Sequence, residues 1–565
     1  MKFSKLMICA GLLFALGAAS ASAAENTVDM SAVAKNGDGA IVYETELENG
    51  DYTVTVTTGG EGDSDANIYI NGGERVRKYT LTDGAVQENE QSVVITDGKL
   101  SVAVYGDNPE VNSITFENIA PRTEPGEKPT IYIAGDSTAQ TYDYKNVYPQ
   151  TGWGQVFAEY FTDGVTVENR AMGGRSSKSY NNDGRLDKIL CEVKPGDYVF
   201  IQFGINDGAA NKPERYISVE DYKKLIADKY IGETIKRGAI PVLMTPTSAA
   251  WWDEENNKFM ESRTDYADPT RELAKETGVT FIDANRLITD EWNGMDKADV
   301  LSGYFICEPL ESKAYPAGTQ DTTHLKAKGA RRIAQIIAEA AAEKVDGLSE
   351  YLKEPENFTD IAGYWGEDNI KALAAKNIAM GEGDGLFRPN DTVTRTEFLK
   401  LAMDACGIPS HAYREGECLG VSNDDWYCYY VQSAADKGIL PVAMLDGCTG
   451  KSEYKKVIAE AKEDSEEAAE NIFRYDGDAK FTDKAISREE MAAIAASCME
   501  YAGAEKANTA VHEFGDQDMG EYEDCINQAH AYGAVNGDEN GFFNPKNALT
   551  RGEAAAVIYR MSEKF

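Results

Sequence analysis

Four short blocks carry residue types that could do nucleophilic chemistry. Gly135-Asp136-Ser137-Thr138 follows an apolar run and precedes a helical stretch, which puts a serine on a tight turn at a helix N-terminus. Backbone N–H groups and the helix dipole could there stabilise developing negative charge. The plainer reading is a helix-capping serine. Asn169-Arg-Ala-Met-Gly-Gly-Arg-Ser176 brings two glycines whose N–H groups can approach a ligand closely, or an ordinary strand-to-helix turn. Gln202-Phe-Gly-Ile-Asn-Asp207 offers Asn206 as a side-chain N–H donor to an oxyanion, or a polar loop closing a strand. Asp321-Thr-Thr-His-Leu325 supplies His324, the only histidine before residue 410, with Asp321 three residues earlier to hold its other ring nitrogen. A lone histidine is usually structural; an Asp-x-x-His following three such blocks in order is not alone.

These blocks must be held by a scaffold, and the surrounding sequence implies one. Apolar strands at Ile131–Ala134, Val165–Val167, Tyr198–Phe203, Ile240–Met244 and Thr280–Asp283 alternate with helical stretches, including about 20 residues from Ser218 and another over Lys326–Lys344. That is the grammar of a parallel α/β sheet with helices on both faces. The first three blocks end strands on one edge of it, where such proteins place ligands.

Together the blocks resemble the SGNH (GDSL) hydrolase family. Gly135-Asp-Ser-Thr-Ala139, Gly152-Trp-Gly154, Asn169-Arg-Ala-x-x-Gly-Arg-Ser176 and Gln202-Phe-Gly-x-Asn-Asp207 look like its rhamnogalacturonan acetylesterase branch. The resemblance covers about Pro129 to Lys344. It implies a flavodoxin-like sheet and O-deacetylation of carbohydrate, with Ser137 as nucleophile, His324 as base and Asp321 as its orienter. The oxyanion hole would be the N–H groups of Ser137 and Gly174 with the Asn206 side chain. No metal or organic cofactor is expected. Trp251 and Trp252, after the fourth strand, could stack on sugar rings or pack locally; a lipid substrate is disfavoured because no apolar acyl-binding loop is evident. The competing reading from another class is a structural or adhesive surface-layer protein with an inactive hydrolase fold.

The flanking regions differ in composition. Tyr52–Thr57, Ala66–Ile70, Ser92–Ile95 and Leu100–Tyr105 alternate between turns and predict a β-sandwich over residues 25–120, either carbohydrate-binding or scaffolding. Residues 121–129, with three prolines, read as a stiff linker, and the hydrolase as 130–350. From Phe358 there is an internal repeat: Phe358, Asp360, Gly381, Phe387, Pro389, Thr394, Arg395 and Glu397 recur 156 positions later, ending in Thr550, Arg551 and Glu553. A degenerate middle copy carries Trp426 and Ser487-Arg488-Glu489-Glu490, its loop swollen by an acidic insert around Lys455–Asn471. Three helical repeats, 357–408, 415–502 and 510–565, would share one core.

Those repeats resemble S-layer homology modules, which bind secondary cell-wall polysaccharide. The resemblance puts Arg395, Arg488 and Arg551 at the family's arginine, whose planar fork suits a carboxylate. The alternative is that each arginine pairs with a nearby glutamate and stabilises its repeat.

The chain has 565 residues, too many for one core, and its 42% hydrophobic content is globular. Lys and Arg number 56 against 95 Asp and Glu, a formal net charge of -39 that repels nucleic acid and anionic lipid. Lys2, Lys5, the apolar run Leu6–Ala18 and Ala21-Ser-Ala23 read as a secretory signal over 1–24, with no membrane insertion expected elsewhere. The ending Met561-Ser-Glu-Lys-Phe565 carries no sortase-type signal, so the repeats are expected to hold the protein at a Gram-positive-type wall. Cys9 falls in the signal; the other eight cysteines fit no zinc spacing and read as disulfides or buried thiols.

Overall fold

The computed structural model describes residues 26–564 except 144–146, 308–311, 313, 316, 354–357, 376–377, 380, 382–384, 409, 411–417, 423–424, 458–468, 508–513 and 517–519. The expected signal segment 1–24 lies outside the described residues. The described chain divides into two compact units, one of residues 26–124 with 179–194 and one of the remainder.

The first unit is a two-sheet antiparallel sandwich. One sheet runs β1 (Asn26–Asp29), β8 (Val111–Ile119), β3 (Gly50–Gly59), β6 (Val86–Ile95); the other runs β2 (Ile41–Glu46), β7 (Lys99–Tyr105), β4 (Ser64–Ile70), β5 (Gly73–Leu81). Alternation does the work: Val54 and Val56 of β3 and Val102 and Val104 of β7 are fully buried between the sheets, while Thr55 and Ala103 between them are only half-buried.

In the second unit, five parallel strands form the sheet β10 (Thr166–Asn169), β9 (Thr130–Gly135), β11 (Tyr198–Gln202), β12 (Ile240–Met244), β15 (Thr280–Ile282). This 2-1-3-4-5 order is the flavodoxin-like one expected from the sequence. Ile131, Ile133, Phe200, Val242 and Met244 project from one face onto Ile333 and Ile337 of the helix Ala327–Lys344. The helical run expected from Ser218 covers Val219–Lys236, with Ser218 Oγ accepting from the Asp221 N–H as its cap. Between β12 and β15 stands a small ribbon, β13 (Trp251–Asp253) and β14 (Lys258–Met260); a second ribbon, β16 (Tyr304–Cys307) and β17 (Thr319–Leu325), precedes the last helix.

The C-terminal repeats close into a ring. Thr394-Arg-x-Glu397, Ser487-Arg-x-Glu490 and Thr550-Arg-x-Glu553 each start a helix as a capping box: the hydroxyl accepts from the third helical N–H and the glutamate accepts from the cap's own N–H. Just before these caps the copies join cyclically. The Val393 N–H donates to the Leu549 carbonyl, Leu549 to Ile486, and Ile486 to Val393. Phe398, Met403, Ile494, Met499, Phe543 and Ile558 share one core beneath them. Residues 458–468, the middle of the acidic insert, lie outside the described residues, but the chain on either side of them is not a loop. It forms a long antiparallel ribbon, β18 (Leu445–Val457) with β19 (Ala469–Phe481), because backbone pairing satisfies N–H and C=O groups that a loop would leave to water. Eight cysteines fall among the described residues of the whole chain, and six of them are buried: Cys191, Cys307, Cys406, Cys418, Cys428 and Cys498.

Candidate active site

Ser137, His324 and Asp321 come together. His324 Nε2 lies 2.8 Å from Ser137 Oγ, and His324 Nδ1 lies 2.6 Å from Asp321 Oδ2. The other Asp321 oxygen accepts the N–H groups of Thr323 and His324, at 2.8 and 3.0 Å, so the carboxylate is held by its own turn. Burial pushes the Asp321 carboxyl up, but the imidazole's hydrogen bond and positive charge, with the two backbone N–H groups, pull it down to about 2. It is a carboxylate at neutral pH and fixes Nδ1 as the protonated nitrogen, leaving Nε2 to face the serine. The ribbon carrying both residues is tied down where the Thr151 N–H donates to the Leu325 carbonyl and the Ala250 N–H to that of Thr322.

The serine's setting departs from expectation in one respect. Ser137 sits in a single turn, in which the Asp136 carbonyl accepts the N–H groups of Ala139 and Gln140, and no helix continues from it. Residues 140–143, which follow the turn, are irregular. Charge at Ser137 is therefore met by individual N–H groups, not by a helix dipole. The turn is shaped from below by buried Asp136, which accepts the Thr138 N–H and hydroxyl at 2.9 and 2.8 Å and the Gln202 amide at 3.2 Å. Trp153 Nε1 donates to that same Gln202. Burial pushes the Asp136 carboxyl up to about 6 against the pull of these donors.

The three expected oxyanion donors lie on neighbouring turns. The N–H groups of Ser137 and Gly174 make no hydrogen bond among the described residues, whereas that of Gly173 is engaged by Gln140 Oε1. A Cβ on Gly173 would lie 3.7 Å from Ser137 Cβ, so this turn runs beside the serine; Gly174, at φ +71°, holds a left-handed conformation that side chains disfavour. Asn206 Nδ2 donates to the Arg175 carbonyl at 3.0 Å, which leaves its second N–H for a ligand. Buried Asp207 ties the two turns together. It accepts the Ser177 N–H and hydroxyl at 2.9 and 2.5 Å on one oxygen and the Gly204 N–H at 3.0 Å on the other. Burial pushes its carboxyl up to about 6 despite those bonds. Asp136, Gln202 and Asp207 lie within the sequence motifs, but only the structure gives them a task.

The two tryptophans separate. Trp252 packs edge-on to Phe259 beneath Lys297, whereas Trp251 is 45% exposed beside the Asp321–His324 ribbon, with Arg263 against its ring. Among the described residues no cluster of His, Cys, Asp and Glu could hold a metal.

The three repeat arginines each point into the next copy, not into their own. Arg395 binds Glu490, Arg488 binds Glu553 at 2.8 Å, and Arg551 faces Glu397 at 3.9 Å. Arg395 is enclosed, 4% exposed, and its remaining donors go to the carbonyls of Met444 and Thr482. That leaves it without the accessible fork that the S-layer resemblance implied. Arg488 and Arg551 are more open, lie over the rings of Phe543 and Phe387, and line clefts that also contain Trp365 and Trp426, respectively.

A parallel 2-1-3-4-5 sheet bearing a serine, histidine and aspartate at its ligand edge defines an ester hydrolase of the SGNH type. Comparison with known proteins agrees. Residues 133–332 match the GDSL-like lipase/acylhydrolase family, and residues 357–399 and 513–555 match the S-layer homology domain. The chain is 38% identical over 219 residues to the probable rhamnogalacturonan acetylesterase YesY of Bacillus subtilis, covering 38% of this chain and 92% of that one. It is 35% identical to the rhamnogalacturonan acetylesterase RhgT of the same organism (39% and 93% covered), and 30% identical to its uncharacterized esterase YxiM (47% and 69%). The chain belongs to the GDSL-like lipase/acylhydrolase family, and its S-layer homology domains mark it as a cell-surface-associated protein. No helix among the described residues is long and apolar enough to cross a membrane.

Proposed function

We propose that the chain is a secreted, wall-attached serine esterase that removes O-acetyl groups from plant polysaccharide such as rhamnogalacturonan, pectin or xylan. The observation that carries this reading is the unbroken chain of contacts from Asp321 Oδ2 through the His324 ring to Ser137 Oγ. Neutral His324 takes the Ser137 proton at Nε2 as Oγ attacks the acetyl carbonyl. Asp321 holds the ring and stabilises its cationic form. The tetrahedral oxyanion is met by the N–H groups of Ser137 and Gly174 and the free Asn206 N–H. His324 then returns the proton to the departing sugar hydroxyl. A water, deprotonated by the same nitrogen, cleaves the acetyl-enzyme and releases acetate. Every step is a proton transfer or acyl transfer among these groups.

An exposed Trp251 beside this site suits a sugar ring, and the names of the acetylesterase relatives point to the same substrate class. Acetate release from a panel of acetylated rhamnogalacturonan, pectin and xylan tests the reading, with Ser137→Ala as control. Turnover of p-nitrophenyl acetate without acetate release from any glycan would overturn it. Retention at the wall through the repeats rests on Arg488, Arg551 and their clefts, and is tested by pull-down with purified sacculi, using full-length protein and a chain ending before Phe358.

A further inference from the structure

Beside the oxyanion turn stands a positive charge that the reaction above does not use. A Cβ on Gly174 would lie 3.2 Å from Arg215 Nη2, 3.4 Å from its Cζ and 3.6 Å from Nη1. The flat guanidinium therefore lies against Gly174, whose N–H is one of the expected oxyanion donors. Arg215 arrives there on the loop after β11, and that loop is built, not loose. The Asn206 carbonyl accepts from Ala209, Ala209 from Lys212, and Lys212 from Arg215; the Ile217 N–H then returns to the Asp207 carbonyl. Lys178 Nζ clamps the loop's far side, donating to the carbonyls of Pro213 and Tyr216. The guanidinium itself is spared from structural duty. Its one ion partner among the described residues is Glu214, its exposed neighbour, at 3.7 Å from Nε, and its side chain is 27% exposed.

We infer that Arg215 is a specificity residue that binds the carboxylate of a uronic acid in the substrate, so that the esterase favours acetylated galacturonate-type polymers over acetylated neutral glycans. The inference rests on the polysaccharide-deacetylase reading. An acetylated uronate carries ester and carboxylate on one ring, and a guanidinium beside the oxyanion turn can reach the second while Ser137 holds the first. Two parallel N–H donors match a carboxylate in a way that a neutral sugar hydroxyl does not. The chain's net charge of -39 opposes any polyanion at long range. The Debye length is about 8 Å at physiological ionic strength, so the contact charge next to the ester outweighs distant carboxylates.

The test uses full-length wild type, Arg215→Gln and Arg215→Lys on four substrates: p-nitrophenyl acetate, acetylated xylan, acetylated polygalacturonate, and acetylated polygalacturonate whose carboxyls have been reduced to alcohols. For Arg215→Gln, kcat/KM on acetylated polygalacturonate is expected to fall roughly 10- to 100-fold, mostly through KM, as loss of a charge-assisted pair requires. The other three substrates should change less than about twofold, and Arg215→Lys should recover part of the loss because it keeps charge without the fork. Equal losses on all four substrates would make Arg215 a support of the oxyanion turn and overturn the assignment, as would no loss on polygalacturonate. Wild type active on p-nitrophenyl acetate but on no glycan would instead remove the deacetylase reading itself. A melting temperature unchanged in Arg215→Gln excludes misfolding as the cause.

Discussion

The catalytic site and the repeat ring both set a basic side chain against a carboxylate, but they place the pair differently. Asp321 and His324 belong to one short turn, and the aspartate's second oxygen is occupied by that turn's own N–H groups. The arginine–glutamate pairs of the repeats each join two copies, and the glutamate also caps the helix it begins. The first arrangement keeps a partly exposed ring poised for reaction. The second uses permanently charged pairs to close the ring. Burial grades the ring: Arg395–Glu490 is enclosed, while Arg551–Glu397 is wider and more exposed. One copied motif thus gives a structural strut at one seam and an accessible cleft edge at another.

Substitutions can break that contrast. Ser137→Ala should lower kcat by several orders of magnitude on any acetate ester with an unchanged melting temperature. Residual activity within tenfold of wild type would remove Ser137 as nucleophile. Asp321→Asn should cost about 10² to 10⁴ in kcat, because the ring loses its fixed tautomer and the partner of its charged form. Neither change should affect binding to cell-wall sacculi.

Arg395→Ala should do the converse. It leaves Glu490 buried without its partner, which costs about 3–5 kcal/mol, whereas Arg551→Ala at its wider, more exposed pair should cost about 1 kcal/mol or less. Calorimetric melts of the two variants check this, with esterase kinetics unchanged in both. Equal destabilisation would mean that the seams are equivalent after all.

The carboxyls of the hydrolase differ in their pH response. Asp321, held at about 2 when folded against an ordinary 3.8, contributes stability above pH 4 that is lost as pH falls through 2. The melting difference between wild type and Asp321→Asn should therefore shrink from pH 4 to pH 2. Asp136 and Asp207, at about 6, have the opposite sign. Between pH 4 and 6 the unfolded chain releases protons that the folded chain keeps, so their burial erodes stability as pH rises. Asp207→Asn loses hydrogen bonds at every pH, but its stability relative to wild type should improve from pH 4 to 6; a flat difference would contradict the raised pKa. The smallest effect expected is from Trp251→Ala: KM on acetylated glycans should rise several-fold while p-nitrophenyl acetate turnover is unchanged.

The sequence made the locally coded parts legible. Each strand, each block that carries a member of the serine–histidine–aspartate set and each repeated helix start is written within a few consecutive residues, and the family resemblance supplied the strand order. Asp321-Thr-Thr-His324 carries its own geometry, and Ile131–Ala134 its own burial pattern. What escaped depends on what a distant segment brings. The turn after Ser137 could not be told from a helix start because Gln202 and Trp153, which brace it through Asp136, come from other elements. Trp251 and Trp252 are adjacent and equivalent on paper; only the ribbon with Phe259 decides which one is buried. Arg395, Arg488 and Arg551 look alike, and their different exposure follows from the middle copy's ribbon, where β18 begins beside the Met444 carbonyl that Arg395 grips. Arg215 sits in no motif at all.

The cyclic joining of Val393, Leu549 and Ile486 has a mechanical consequence. An open stack of repeats, in which each unit touches only its neighbours, can be peeled one unit at a time from either end. A closed ring of three has no end unit. Tension from a polymer dragged through the catalytic cleft enters at the junction before Phe358, in the first copy, and that copy is bonded to both of the others. Detaching it means rupturing two seams together, one of them the enclosed Arg395–Glu490 strut. The load is shared in parallel, and the module yields as a whole rather than unravelling.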